Sequence, residues 1–570
     1  MTTVPSSFFN PPRSSSLRSW LAAFAVSLAA ALIVVSPFFW LGTASGHDIQ
    51  FHAGSWLDVA GQWKEGIVFP RWAEWANHGF GEPRFLFYPP LSWLLGAALG
   101  SLLPWNSVPA VFIVLVQTMA GVLAFAVMRR ILSERSALFG AVCYAANPYA
   151  LLIIYVRSDF AELLAMAFFP LLLHGALQVS GIAEIPGRGS RRTMIAFAFV
   201  FAIVWLSNAP AAVMATYTVA LLFAWAAITE KSWRPLFRGG AGLALGFGLT
   251  GFYLLPAAYE QRWVNIGQVL SSGLLPAQNF LYAGTADPEH DAFNRIASSV
   301  AVLLIVMTVF ACFLAYREAA ERDRRKLWAA LLLVAAAASL MMVRVTSILW
   351  MVLPKLRFVQ FPWRWMSVLA VPWVVFLAAV VIRRKLAWAG VAVVLALLSG
   401  TGAYLVKHTW WDTEDISSLR AAIAEDQGFD GTDEYDPLGD DHSNLPDKSP
   451  RVQVLPGEHS EGATPNPLIR VGRWTAEVKE LRVTSRGPLR LAVRLLLYPA
   501  WRAEVNGTEV TPERSENFSQ MILPLRAGES HVVVRFTRTR DRTLGIYISG
   551  FSLLAALLYF SWPGRRAGGD

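Results

Sequence analysis

The 570-residue chain is too apolar for a soluble protein: it is 55% hydrophobic and 16% charged, with a mean hydropathy of +0.43, whereas soluble chains are about 25% charged. The net charge of +9 does not indicate nucleic-acid binding, because the basic residues lie in short loops between apolar runs. Runs of about 20 apolar residues are typical of membrane-spanning helices. The sequence therefore predicts a polytopic α-helical membrane protein.

The first apolar run, residues 20–41, opens a transmembrane domain that we place at residues 19–406, and residues 1–18 before it are predicted to be a cytoplasmic tail. The run is longer than the roughly 7–15 residues of a signal-peptide core, and no small-x-small cleavage site follows it convincingly. We therefore interpret it as a retained membrane span.

The first predicted outer loop, residues 42–107, combines polar and aromatic residues. Residues 48–63 are predicted to form a helix ended by Gly66, with four residues on one stripe: Ile49, Trp56, Ala60 and Trp63. Because tryptophan is favoured at the membrane–water interface, we expect this helix to lie there. Residues 87–104 are apolar, but they are bracketed by prolines and shorter than the roughly 20 residues of a span. They predict an interfacial or re-entrant helix on the outer face.

Loop charge predicts the topology, since Lys and Arg are concentrated in short cytoplasmic loops of membrane proteins. Five basic clusters are spaced so that two spans fit between consecutive clusters, and they lie within residues 129–135, 188–192, 231–238, 322–326 and 383–385. With residues 87–104 not crossing, twelve spans remain. The last of them is residues 544–562, and both termini, including residues 563–570, are predicted to be cytoplasmic.

The long outer segment before the last span has two parts. Residues 407–448 are predicted to be a solvated acidic linker, because residues 412–447 contain twelve acidic residues and a single base, Arg420. Residues 449–543 are predicted to form a small extracytoplasmic β-sandwich. One strand is marked by alternating apolar residues, which are Leu489, Leu491, Val493, Leu495 and Leu497. The pair Asn506-Gly507 predicts a hairpin turn, and "MILPLRAGESHVVVRF" predicts strand, turn and strand.

Acidic residues near the outer face are the first candidates for chemistry. Asp48 and His52 are four residues apart at the start of the predicted helix, so they share a neighbouring face. Asp48 is either a catalytic carboxylate or an N-cap. In "YVRSDFAELLA", Asp159 and Glu162 have N-cap and N3 spacing, where the helix dipole also favours carboxylates. A capping role and a catalytic role both stay open for them.

Basic residues and a second acidic cluster lie on later outer loops. "PKLRFVQFPWRWMS" places Lys355, Arg357 and Arg364 beside two tryptophans, where they either extend to the membrane surface or hold a phosphate, to which Arg offers paired donors. The residues Asp287, Glu289, His290 and Asp291 form a cluster that either binds a metal or belongs to a solvated loop.

Several segments carry a resemblance to known membrane proteins. A long first outer loop that opens with an acidic residue, followed by "FPRW…GFGEPRFLFYPPL", resembles the GT-C class of integral-membrane glycosyltransferases. "HDIQFH", "YPPLSWLL", "NPYALLIIYVRSDFAE", "GFYLLPAAYE", "QFPWRW", "GTDEYDP" and "YPAWRAEVNG" resemble the YfhO type and the membrane family labelled 6-pyruvoyl-tetrahydropterin-synthase-related. The label does not imply pterin chemistry. The similarity extends over nearly the whole chain.

The resemblance implies roles for particular residues. GT-C enzymes use an acidic residue early in the first outer loop as base or metal ligand, which implies Asp48, and a second acidic site on a later loop, which fits Asp159 or Glu162. We count five residues as substrate-binding: His47, His52, Arg157, Arg357 and Arg364. Arg364 is the expected phosphate clamp. The chain has His47-Asp48 rather than a paired-acid motif, so a divalent metal, Mg²⁺ or Mn²⁺, is an option and no metal ligand is assigned.

The expected function is a glycosyltransferase of the bacterial cytoplasmic membrane. It moves a sugar from a polyprenyl-phosphate donor to a glycan, lipid or protein acceptor on the outer face. Two alternatives stay open. Buried charges within the spans would favour a transporter or flippase for lipid-linked glycans, and the predicted spans are nearly free of them. A non-catalytic scaffold whose β-sandwich binds polysaccharide is the other alternative.

Overall fold

The computed structural model describes residues 16–183, 190–318, 325–381, 387–439, 442–455 and 466–561. Its helices are α1 Leu17–Val35, α2 Phe38–Leu41, α3 Ile49–Lys64, α4 Arg84–Phe87, α5 Pro90–Leu102, α6 Val108–Met128, α7 Glu134–Ala145, α8 Pro148–Leu152, α9 Phe160–Ala167, α10 Phe169–Val179, α11 Ser190–Ser207, α12 Ala209–Thr229, α13 Arg234–Leu249, α14 Gly251–Glu260, α15 Pro288–Glu318, α16 Arg325–Met341, α17 Ser347–Val352, α18 Met366–Val381, α19 Ala387–Lys407, α20 Asp415–Ala424 and α21 Arg540–Ser561. Its strands are β1 Thr43–Ala44, β2 Trp411–Asp412, β3 Val452–Leu455, β4 Leu468–Thr475, β5 Val478–Ser485, β6 Leu489–Leu496, β7 Trp501–Val505, β8 Thr508–Val510, β9 Glu513–Arg514, β10 Gln520–Leu525 and β11 Gly528–Phe536.

The helices confirm a polytopic membrane protein. Within the described residues, nine helical segments are long and apolar enough to cross a membrane, and up to eleven if each of two bent helix pairs is one span. The further span that the sequence predicts is α11, an 18-residue helix that contains Arg191 and Arg192. The count of twelve stays a prediction. Residues 383–385, 563–570, most of the N-terminal tail and parts of two other basic clusters lie outside the described residues.

One bent pair, α13 and α14, is completed by the last helix. The two segments meet at Thr250 with a bend of 77°. The hydroxyl of Ser549 on α21 accepts the amide proton of Phe252 at 2.9 Å and donates to the carbonyl of Gly248 at 3.1 Å. A side chain thus bridges the i and i+4 backbone groups at the bend, which meets the requirement that backbone polar groups in lipid be satisfied within the protein.

The first predicted outer loop is packed inside the protein. Helix α3 is followed by Gly66 at φ +86, as predicted. However, the expectation that its apolar stripe lies in the membrane interface is wrong, because Ile49, Trp56 and Ala60 are buried. Trp56 stacks on Phe112 of α6 at 5.5 Å, so neighbouring helices cover the stripe.

Helix α5 has the predicted short length. Its 13 residues lie between Pro89 and Pro104 and extend about 20 Å, less than the roughly 30 Å hydrocarbon core of a bilayer. It packs against α3 and α6. Its position on the outer face stays a prediction.

The C-terminal strands form two antiparallel sheets, in the orders β3-β6-β10-β9 and β4-β5-β11-β7-β8. The four apolar residues of the predicted stripe that fall within β6 are buried, while Leu497 follows the strand and is half-buried. Asn506 and Gly507 form the predicted hairpin turn, with φ of +52 and +79 between the paired residues Val505 and Thr508. The predicted strands β10 and β11 also form, but they belong to different sheets, so the turn at Gly528 crosses the sandwich.

The acidic segment is not the solvated linker that its composition predicts. It pairs with the first outer loop through β2 and β1, and α20 packs on α3. Asp426 forms ion pairs with Arg451 and Arg494 at 3.0 and 2.7 Å. Asp436 is 1% exposed. The sandwich supplies basic partners for part of the acidic charge, and charge counting along one segment does not detect partners from another.

Candidate active site

The site begins where the first outer loop contacts the turn before α9. Residues 153–157 form a π-helical turn, and Ser158 then adopts the left-handed conformation at φ +55. The Ser158 hydroxyl accepts the amide proton of Gly46 at 3.0 Å and donates to the carbonyl of Ala44 at 2.8 Å. The amide of Asp48 donates to the carbonyl of Arg157 at 2.9 Å. These bonds fix Asp48 beside Arg157.

The close approach of the two segments requires glycine at position 46. A Cβ atom there would lie 2.5 Å from the carbonyl oxygen of Val156 and 2.6 Å from the carbonyl carbon of Arg157. We expect Gly46→Ala to separate the segments and to lower the thermal unfolding temperature. In the control Gly61→Ala, nothing lies within 4 Å of the added Cβ on α3, so stability should rise by about 1 kcal/mol. Equal unfolding temperatures for the two variants would contradict this docking.

Asp48 does not cap α3. It occupies the N-cap position, yet its side chain makes no capping hydrogen bond. Its carboxylate instead accepts from the Arg157 guanidinium at 2.6 Å. The Asp48 side chain is 29% exposed, against 6% for Arg157, so this carboxylate is within reach of solvent. The catalytic interpretation of Asp48 is left in place, whereas the capping interpretation is wrong.

Behind Asp48 lies a charged cluster, which we define as Asp48, Arg157, Asp159, Glu162 and Arg364. Asp159 caps α9 by accepting the amide proton of Glu162 at 2.9 Å, which confirms the predicted spacing. Arg364 lies 3.4 Å from Asp159 and 3.2 Å from Glu162. Arg157 is 3.8 Å from Asp159. Two arginines therefore join three carboxylates, and the five residues come from three distant parts of the chain.

Exposure decreases steadily along the charged cluster. Asp159, Glu162 and Arg364 have side chains that are at most 5% exposed. Glu162 also accepts the hydroxyl proton of buried Tyr149 at 2.7 Å. Both carboxylates therefore contact the arginines and not the solvent.

The two predicted histidines flank the cluster differently. His52 is 1% exposed, and its Nε2 lies 3.6 Å from Asp159 with no hydrogen-bond partner among the described residues. His47 is exposed and its ring contacts Phe293 of α15 at 4.7 Å. Desolvation and the neighbouring guanidinium of Arg157 lower the pKa of His47. Both effects favour the neutral form of the His47 ring.

Arg357 is separate from the charged cluster. It is exposed, and its guanidinium lies over the ring of Phe358 at 5.4 Å. Arg364, seven residues later, is buried, and it lies over the ring of Phe361 at 4.9 Å, as does Arg157. The structure therefore brings together all of the predicted site residues except Arg357.

Two site contacts could not be found from the sequence alone. Tyr149 lies within the quoted motif "NPYALLIIYVRSDFAE", but its bond to Glu162 spans 13 residues and a π-helical turn. Phe361 forms a common ring surface under both arginines, although Arg157 is more than 200 residues away. The only sequence signal for the contact of Phe361 with the arginines was the aromatic character of "QFPWRW".

The donor set does not fit the divalent metal that the sequence left open. Among the described residues, no group of three His, Cys, Asp or Glu side chains could hold a metal ion. This includes the acidic cluster at residues 287–291. Asp48 and Asp159 both face Arg157, and the positive guanidinium opposes a cation at the same oxygens. No step below uses a metal.

Comparison with solved structures finds glycosyltransferases of low similarity. Arabinofuranosyltransferase AftD from Mycobacteria is 17% identical, with a TM-score of 0.44 over 73% of this chain and 29% of that chain. The Archaeoglobus fulgidus oligosaccharyltransferase is 13% identical, with a TM-score of 0.41 over 73% of this chain and 57% of that chain. ArnT from Cupriavidus metallidurans is 10% identical, with a TM-score of 0.29 over 64% of this chain and 77% of that chain. The chain spans less than a third of AftD, and these values do not establish a shared activity.

Sequence comparison with curated proteins finds no match. The family described as "6-pyruvoyl-tetrahydropterin synthase related domain; membrane protein" matches residues 85–411, which is more than half of the chain. The matched region contains Arg157, Asp159, Glu162 and Arg364 of the charged cluster. The chain therefore belongs to this 6-pyruvoyl-tetrahydropterin-synthase-related family of membrane proteins.

Proposed function

We propose that the protein is a GT-C-type glycosyltransferase that moves a sugar from a polyprenyl-phosphate donor to an acceptor hydroxyl. One observation carries the proposal: the charged cluster is buried except at Asp48, whose carboxylate is held at 2.6 Å by Arg157. A single accessible carboxylate beside a guanidinium combines a proton acceptor with a phosphate-binding group.

The proposed reaction uses both groups. The acceptor oxygen attacks the anomeric carbon, its proton passes to Asp48, and the bond from that carbon to the phosphate oxygen breaks. Negative charge develops on the departing phosphate, where a fixed cation stabilises it. The donor phosphate keeps the electron pair of the broken bond, so no oxidant or reductant is needed.

Arg157, and not Arg364, is the residue that we assign to the phosphate. Arg364 already contacts two carboxylates, and its Nη1 donates to the carbonyl of Val359 at 3.2 Å. Arg157 is the arginine that donates to the accessible carboxylate of Asp48, at 2.6 Å. Asp159 and Glu162 are positioning residues in this scheme, because they hold the two arginines in place.

The donor assignment rests on the position of the site. Asp48 lies on the first predicted outer loop, whereas the predicted cytoplasmic loops are short and basic. A sugar used at the outer face of a bacterial cytoplasmic membrane has to cross that membrane, and a polyprenyl carrier provides a route. The acceptor is a glycan, lipid or protein hydroxyl.

A transfer assay with separate donors tests this assignment. Purified protein in liposomes is supplied with a panel of polyprenyl-phosphate sugars or with nucleotide sugars, and release of the sugar is followed. We expect turnover only with lipid-phosphate donors. Turnover with a nucleotide sugar and none with any lipid-phosphate sugar would overturn the proposal.

Reporter fusions test the sidedness on which the donor assignment depends. A reporter fused after Trp105 should report the outer side, and one fused after Arg130 should report the cytoplasm, because α6 lies between them as a span. The pair forms its own control, since both fusions contain the same preceding residues. A cytoplasmic signal at Trp105 would place Asp48 on the wrong side.

A further inference from the structure

A second buried charge pair also contacts α3, at residues 51 and 55. Glu82 and Arg84 are at most 1% exposed, and the Arg84 Nε donates to Glu82 at 2.5 Å. We infer that Glu82 and Arg84 are positioning residues for Asp48 and His52, acting through α3. This inference rests on the proposed function.

Arg84 contacts α3 at two successive turns. Its Nη1 donates to the Ser55 hydroxyl at 3.1 Å and to the carbonyl of Phe51 at 3.4 Å. Its guanidinium also lies over the Phe51 ring at 4.3 Å. The Phe51 ring contacts that of His52 at 5.7 Å and that of Tyr88 at 4.7 Å. Arg84 thus holds the helix one residue away from His52, whose imidazole flanks the charged cluster.

Glu82 connects this contact to the acidic segment. Its carboxylate accepts the amide proton of Thr432 at 2.9 Å and the Thr432 hydroxyl at 3.2 Å. Beside it, the Asn77 amide donates to Asp436 at 2.8 Å. Gly431 lies between the two, because a Cβ there would be 2.8 Å from Glu82 and closer still to Asn77. The segment at residues 429–436 is therefore fitted onto the first outer loop at several points.

The same segment also reaches α3 directly. Phe429 packs on Gly54, where a Cβ would lie 3.0 Å from its ring. Its backbone is bonded to Trp75 and His78 at 2.9 and 3.0 Å. Helix α3 is consequently held at two places: the charged cluster holds its start, and the Glu82–Arg84 pair with residues 429–436 holds residues 51–55.

An ion pair is needed here for geometry more than for stability. Replacing a buried ion pair by well-packed apolar groups is often neutral or stabilising. The planar Arg84 guanidinium, however, bonds to Glu82 on one side and to two acceptors on α3 on the other, which a lysine ammonium on its flexible stem does not reproduce. Since a displacement of about 1 Å at a reacting group can cost about a hundredfold in rate, fixing α3 bears directly on transfer.

The test uses Arg84→Lys and Glu82→Gln, with Arg71→Gln as the matched control. Arg71 is on the same loop and pairs with Glu477 of the sandwich at 2.8 Å, so its loss removes an ion pair that does not involve α3. We expect kcat to fall about tenfold or more in the two variants, with KM for the polyprenyl-phosphate sugar unchanged. The control should keep the wild-type kcat. A wild-type kcat in Arg84→Lys would overturn the inference.

Amide hydrogen exchange separates this inference from the proposed function. Peptides that cover residues 49–55 and 429–436 should exchange faster in Arg84→Lys and Glu82→Gln than in the wild type or in Arg71→Gln. If the wild type transfers no sugar from any donor, the proposed function fails, but the exchange result still decides whether the pair holds α3. Unchanged exchange at residues 49–55 in both variants would overturn the inference.

Discussion

Asp48→Asn is expected to lower sugar transfer by about 10²–10⁴-fold while the protein keeps its wild-type thermal unfolding temperature. The amide oxygen of asparagine can still accept from Arg157, but an amide does not take the proton of the acceptor hydroxyl. Loss of an N-cap would cost about 0.5–2 kcal/mol, and no such loss is expected, since Asp48 makes no capping hydrogen bond.

The measurement is transfer in liposomes together with thermal unfolding of the same preparation. Asp430→Asn is the control, because its carboxylate belongs to the acidic segment, is 78% exposed and contacts His78. It should keep wild-type transfer. A folded Asp48→Asn protein with undiminished transfer would make Asp48 a structural residue and remove the base from the proposed reaction.

Arg364→Met is expected to destabilise the protein by about 3–5 kcal/mol. The substitution leaves the buried carboxylates of Asp159 and Glu162 without their nearest guanidinium, and an uncompensated buried charge is costly. Arg364→Lys should lower the stability less, because lysine keeps the positive charge. It should still lower it, because lysine does not reproduce the three separate contacts of the guanidinium.

Arg357→Met is the matched control for that prediction. It removes an exposed arginine that lies seven residues before Arg364. Surface substitutions usually change stability by less than about 0.5 kcal/mol. Denaturant unfolding in detergent gives the difference between the two variants. A similar loss for both would mean that the charged cluster contributes little to the fold.

The sequence predicted those parts of the site that depend on neighbours along one helix. The Asp159–Glu162 spacing predicted a capped helix, and the cap is present. The Asp48–Arg157 hydrogen bond joins residues 109 apart, and no local sequence pattern indicates it. The assignment of phosphate binding to Arg364 rested on two adjacent tryptophans, and burial of that arginine among carboxylates became visible only in three dimensions.

Two fold predictions failed for a related physical reason. The stripe of Ile49, Trp56 and Ala60 has the same spacing whether lipid headgroups or other helices cover it, so periodicity cannot distinguish an interfacial helix from a buried one. The composition of the acidic run is likewise the same whether solvent or arginine side chains surround it. Arg451 and Arg494 lie in the later sandwich, and their pairing with Asp426 depends on tertiary structure.

The hydroxyl of Ser549 at the Thr250 bend has a consequence for biosynthesis. Phe252 and Ser549 are 297 residues apart, so a ribosome that adds about 5–20 residues per second needs about 15–60 s between them. During that interval the amide of Phe252 lacks the partner that the finished protein provides. The bent segment therefore reaches its final hydrogen bonding only after the last helix is inserted, and a nascent chain that stalls within the β-sandwich keeps this bend without its Ser549 partner.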